Sequence, residues 1–123
     1  KTGKVNKSEL TFSKFEDLYS HSNKPKALQL LVYSYLYLKN NPQYINQEVI
    51  SGIFSFKVMK SGLITLSKKE GNKKPNLMFN NSVLQETERI LTDIISKILS
   101  EDFVQTSEKS NCLYCNYKSI CNR

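Results

Sequence analysis

Long apolar runs are missing from this 123-residue chain. None approaches the ~18 residues of a membrane-spanning helix, and no basic-then-apolar leader opens it, so neither a membrane span nor a secreted product is expected. Arginine is scarce: among 18 lysines and arginines, only Arg89 and Arg123 are arginine. Acids are outnumbered, 11 against 18, which leaves a net charge of +7. A lysine-heavy excess suits a polyanion such as nucleic acid, because neutralising phosphates releases counterions. It suits plain solubility equally well. No internal repeat and no linker divides the chain. With 39% hydrophobic and 24% charged residues, it describes one folded domain, residues 1–123, with a modest core. The first residue is Lys1 rather than Met, so the chain is expected to be a piece of a longer one.

The lysines that are present cluster. Lys57, Lys60, Lys68, Lys69, Lys73 and Lys74 face a single acid, Glu70, across one short region. Around them the pattern is mixed helix and strand. Residues 27–42, "ALQLLVYSYLYLKNNP", predict a strong helix stopped by Asn40, Asn41 and Pro42; apolar nearly all round, it is expected to be buried on most of its surface. Residues 49–58 and 62–67 predict two strands joined by a tight turn at Lys60-Ser61, with Ile53, Ser55 and Lys57 on one face and Phe54, Phe56 and Val58 on the other. A second helix begins near an Asn81 or Ser82 cap, with Leu84, Leu91, Ile94, Ile95 and Ile98 along one face. The segment from Ser13 to Lys26 predicts at most a short helical turn, and the opening a strand end running into a loop. Two strands alone are marginal as a sheet, so more strands or a partner are expected to complete it, and the open edge is a route to dimerisation.

All three cysteines fall in the last dozen residues, as C-x2-C-x5-C at Cys112, Cys115 and Cys121. Close spacing without a secretory signal points to a reducing, cytoplasmic setting and to metal rather than a disulfide. Thiolates suit zinc or an iron–sulfur cluster, and both usually take four protein ligands. Tyr114 and Tyr117 are placed to shield such a centre. The fourth ligand is expected outside this chain; His21 is the one other soft candidate within it, and free thiols remain the plain alternative. Two further features carry chemistry. Lys-Thr-Gly at residues 1–3 is either a phosphate contact or a charged terminus. Gln29 and Tyr33, four residues apart on the first long helix, share a face and offer an amide and a phenol to one site; the plain alternative puts Gln29 at a half-exposed edge and Tyr33 in the core.

Taken in order, Lys-Thr-Gly, Gln-x3-Tyr and C-x2-C-x5-C resemble the RecB-like PD-(D/E)XK nucleases, most of all the AddB-type subunit of helicase–nucleases and its iron–sulfur relatives. The resemblance runs from Lys1 to Cys121. Lys1 falls on the lysine of that family's Asp-x-Lys strand end, Gln29 and Tyr33 on its Gln-x3-Tyr motif, and Cys112, Cys115 and Cys121 on three of its four cluster cysteines. It implies an α/β fold: the C-terminal part of a restriction-endonuclease-like domain, with two long helices, a β-hairpin and a cysteine-containing tail at 103–123. It further implies catalytic roles for Lys1, Gln29 and Tyr33, and DNA backbone contacts from Lys57, Lys60, Lys68, Lys69, Lys73 and Lys74. The cofactors implied are Mg²⁺ and a structural 4Fe–4S cluster. The family's metal-binding carboxylates and first cluster cysteine stand before Lys1, so neither independent cleavage nor an intact cluster is expected of these residues alone. The implied partners are DNA, the missing N-terminal part of the domain and a helicase subunit. A non-enzymatic nucleic-acid or protein binding module with a zinc-type cysteine site is the alternative, and an inactive nuclease-like scaffold a third.

Overall fold

The structure, a computed structural model, describes residues 3–20, 24–45, 47–102, 105, 112, 113 and 115–121. A 3₁₀ turn at Lys7–Leu10 leads into a short strand, β1 (Thr11–Phe12), then one helical turn, α1 (Asp17–Ser20), and the long helix α2 (Pro25–Asn40). A hairpin follows, β2 (Gly52–Phe54) against β3 (Leu63–Thr65), and β4 (Ser67–Lys68) runs directly from it. Helix α3 (Asn81–Ser100) is the last of these elements. This is the mixed α/β architecture expected of a restriction-endonuclease-like fold.

The strands form two small sheets. β2 and β3 pair antiparallel, with Ile53 opposite Ile64 and Phe54 opposite Leu63. β1 and β4 pair parallel, with Thr11 beside Ser67, and Asn76 bridges Ser67 from its other side. The hairpin is shorter than its alternation predicts. Phe56–Ser61 is not strand but a pair of 3₁₀ turns kinked at Val58, and Gly62 ends them at φ 61°, ψ −147°, a conformation open to glycine and strained for other residues. The alternation itself persists through the kink, which is why the strand seemed to continue.

One face of the hairpin supplies the core. Ile53, Ser55, Ile64 and Leu66 are buried, packing with Leu10, Phe12, Leu18, Leu31, Leu38, Phe79 and Ile90. The opposite face, Gly52 and Phe54 on β2 beside Leu63 and Thr65 on β3, stays open. Phe54 is 56% exposed and Phe56 70%, so the more aromatic side of the strand faces out.

Helix α2 starts at Pro25, whose missing N–H costs nothing in the first turn. It is not buried all round. Ala27, Leu31, Ser34 and Leu38 form its inward stripe, while Tyr33, Leu36 and Tyr37 are half exposed or more. A two-layer body of this size covers one side of a helix and no more. The cap of α3 is Asn80, one residue before the expected position, whose side chain accepts from the Val83 N–H at 2.9 Å. Leu84, Thr87 and Ile90 are its buried positions, and the apolar face continues beyond the core, with Ile95 and Ile98 exposed. Ion pairs hold the helices in place: Lys39 to Glu88 at 3.1 Å and Arg89 to Glu16 at 2.5 Å. The Tyr19 hydroxyl donates to Asp93 at 2.9 Å.

Candidate functional site

Gln29 and Tyr33 lie one turn apart on the outer side of α2, and the Gln29 Nε2 donates to the Tyr33 Oη at 2.7 Å. Tyr33 is 59% exposed, so it does not pack in the core as the plain reading of its helix suggests. The pair borders a cleft of ≈ 420 Å³, whose opposite wall is Gly52, Ile53, Phe54 and Phe56. On the other flank of the same two side chains, a second groove of ≈ 630 Å³ runs along Pro25, Leu28 and Val32. Gln29 and Tyr33 therefore stand on a ridge between two depressions. The phenol oxygen accepts the amide N–H, and a phenol that accepts can still donate its own O–H.

Two hydrogen bonds tie the start of the chain to the body. Ser55, buried between the cleft residues Phe54 and Phe56, donates its hydroxyl to the Gly3 carbonyl at 2.8 Å. Lys26, in the first turn of α2, donates to the Lys4 carbonyl at 2.9 Å and to Glu9 at 2.7 Å. The glycine of Lys-Thr-Gly is thus anchored to the buried side of the strand segment whose outward residues, Phe54 and Phe56, line the cleft. Lys1 itself lies outside the described residues, as do His21 and Tyr114.

The six lysines come from three places in the chain. Lys57 and Lys60 sit on the kinked 3₁₀ segment that leaves the cleft wall. Lys69, Lys73 and Lys74 lie in the loop after β4, where Glu70 and Lys73 bridge across a turn. Lys68 turns elsewhere, with its Nζ 5.0 Å from the centre of the Phe15 ring. All but Lys68 are exposed, and none of the six forms an ion pair among the described residues.

Five of the acids, by contrast, are engaged in ion pairs. Glu9 is held by Lys26, Glu88 by Lys39, Asp93 by Lys97, and Glu16 and Glu86 by Arg89. Hydrogen bonding to Lys26 holds the Glu9 carboxyl below its usual range, and the Arg89 guanidinium does the same for Glu86. The Tyr19 hydroxyl and Lys97 lower Asp93. Cys112, Cys115 and Cys121 are free thiols. The first two bracket a tight turn, Cys115 N–H to Cys112 carbonyl at 3.2 Å, and the Gln105 amide donates to the Cys121 carbonyl at 2.7 Å.

The model of the PD-(D/E)XK nuclease superfamily matches residues 1–122. The chain belongs to that superfamily. No curated protein and no solved structure matches it significantly. Nucleases of the superfamily generally use a divalent metal, and the described residues do not fit one. Among them no three histidine, cysteine, aspartate or glutamate side chains come together in a group able to hold a metal ion. Glu9, Glu16, Glu86, Glu88 and Asp93 are paired with lysine or arginine, no described acid lines the cleft, and the described cysteines do not form such a group. Nor is any described helix long and apolar enough to cross a membrane.

Some of this site escapes sequence reasoning. Phe54 and Phe56 form the cleft wall, and their alternation with Ile53 and Ser55 was the available signal, with the buried side the less aromatic one. Ser55 as the anchor of Gly3 carries no local signal at all.

Proposed function

We propose that this chain is the C-terminal portion of a metal-dependent DNA exonuclease domain, working within a helicase–nuclease or a related repair and recombination protein. The observation that carries this reading is the Gln29–Tyr33 pair on the edge of a cleft walled by Phe54 and Phe56, in a chain whose family match runs over residues 1–122. In this reading Gln29 fixes the phenol by donating to its oxygen, and Tyr33 donates its O–H to a phosphate oxygen of the strand. Lys1, two residues before the anchored Gly3, stabilises negative charge at the reacting phosphate. The carboxylates that hold Mg²⁺ and the fourth thiolate of an iron–sulfur cluster come from residues outside these 123. Lys57 and Lys60 steer DNA toward the cleft.

The test is Mg²⁺-dependent cleavage of end-labelled DNA by this chain and by the same chain extended upstream. Activity is expected only in the extended protein, and Tyr33→Phe is expected to lower it. Cleavage by the 123 residues alone overturns the division of the site; an inactive extended protein overturns the enzyme. Metal analysis of the extended protein separates the binding-module alternative, since stoichiometric zinc supports that module and iron with visible absorbance the nuclease.

A further inference from the structure

A second depression, of ≈ 340 Å³, lies across the hairpin from the Gln29–Tyr33 cleft. Its floor is set by strand register. Thr11 on β1 is beside Ser67 on β4, and Ser67 is beside Asn76. Side chains abreast on neighbouring strands point to the same side of a sheet, so these three polar groups form one row. Thr65, two residues before Ser67, extends it, and Lys7 and Lys74 complete the lining with Leu63.

The chemistry of this recess is one-sided. No carboxylate lines it, and neither Lys7 nor Lys74 has an ion-pair partner among the described residues. The Thr65 hydroxyl donates to the Asn76 Oδ1 at 2.6 Å, which leaves the Asn76 amide N–H groups as donors without a partner there. The Ser67 hydroxyl reaches only the Thr65 carbonyl, at 3.4 Å, a weak bond that a better acceptor replaces. Two ammonium groups, an amide and a loosely held hydroxyl, with no competing acid, suit a tetrahedral oxyanion.

Its position adds a role. Leu63 and Thr65 line the recess, while Phe54 and Gly52, their cross-strand partners, line the cleft. Recess and cleft thus flank the same open face of the hairpin, their walls on adjacent strands about 4.8 Å apart. We propose that the recess of Lys7, Thr11, Thr65, Ser67, Lys74 and Asn76 is a phosphate-binding site, which grips the backbone of a nucleic-acid strand whose neighbouring nucleotide lies against the Gln29–Tyr33 cleft. Phosphate recognition stands on the recess alone; that the phosphate belongs to a nucleic acid rests on the nuclease reading.

The experiment is titration of the ¹⁵N-labelled chain with inorganic phosphate, against chloride at equal ionic strength, followed by an oligothymidylate. Phosphate is expected to shift the amide signals of Thr11, Ser67 and Asn76 saturably. The double variant Lys7→Gln/Lys74→Gln is expected to lose those shifts, while the charge-matched pair Lys14→Gln/Lys118→Gln keeps them. The oligonucleotide is expected to move the same signals. The recess variant should also lower the slope of log K against log salt by about 0.7, one single-strand phosphate contact. Phosphate shifts without oligonucleotide binding leave the recess standing and remove the nuclease reading of this face. No phosphate shift, or equal loss in both double variants, overturns the recess, whether or not DNA binds elsewhere.

Discussion

At the scale of single residues, the Gln29–Tyr33 pair was legible because helical geometry alone brings positions four apart together. No tertiary knowledge is needed for that bond. The recess was not legible: Thr11, Ser67 and Asn76 meet only through the register of three separate segments, and nothing local in the sequence announces it. The same division governs what substitutions should do. Tyr33→Phe removes an exposed hydroxyl, so stability is expected to stay within about 0.5 kcal/mol in urea unfolding. Cleavage by the extended protein is expected to fall roughly 10–100-fold, the cost of losing a positioning contact. Equal losses of stability and activity would make Tyr33 a structural residue instead. The paired acids have a pH signature. Glu9 and Glu86 are depressed by Lys26 and Arg89, and a depressed carboxylate stabilises the fold above its unfolded pKa and loses that contribution as pH falls through the folded value. The urea midpoint is therefore expected to be steady from neutral pH to about 5 and to decline below about 4. Glu86→Gln should lower the neutral midpoint and flatten the acid decline; an unchanged acid decline would show that these pairs do not set it.

At the scale of elements, helix existence and type came through clearly, and boundaries less so. Helices α2 and α3 carry long apolar periodicities and punctuation by Pro25, Asn41 and Pro42. The hairpin was over-extended because a two-residue alternation says which side chains share a face, not where backbone pairing stops. The buried face was settled by what packs behind it, Leu10, Leu31 and Ile90, which no local pattern contains. Gly52 shows how tight that arrangement is. A Cβ there would meet the Ile64 carbonyl oxygen at 2.8 Å and the Leu63 side chain at 3.0 Å. Because backbone must move, Gly52→Ala is expected to cost about 1–3 kcal/mol in chemical unfolding and to spread the hairpin between cleft and recess. A neutral result would mean the strands are further apart than this. Asn80→Ala removes the acceptor for the Val83 N–H and is expected to cost about 1 kcal/mol, while Asn80→Asp and Asn80→Ser hold close to the parent.

For the molecule as a whole, the two two-stranded sheets and three α-helices among the described residues leave stability unevenly distributed. The buried apolar residues concentrate where the inward stripe of α2 meets the hairpin and the first half of α3: Ala27, Leu31, Leu38, Ile53, Ile64, Leu84 and Ile90. Past Ile94 the second half of α3 has no described neighbour of that kind, and Ile95, Ile98 and Leu99 are 56%, 57% and 81% exposed. Beyond the Lys97 contacts with Asp93 and the Tyr19 ring, this half is held by its own helix hydrogen bonds, which are marginal in water. Local opening free energies should therefore fall steeply along α3. In native-state hydrogen exchange, amides of Leu31 to Leu38 are expected to open only with the whole fold, whereas those of Ser96 to Ser100 exchange on the order of 100-fold faster or more. Leu31→Ala, expected to cost roughly 2–5 kcal/mol, should then collapse the first group's protection and leave the second unchanged. Uniform protection to the end of α3 would refute this distribution, since something must then cover Ile95, Ile98 and Leu99. Dilution identifies the cover: protection that fades with concentration assigns it to a second copy, and protection that does not assigns it to a segment of the same chain.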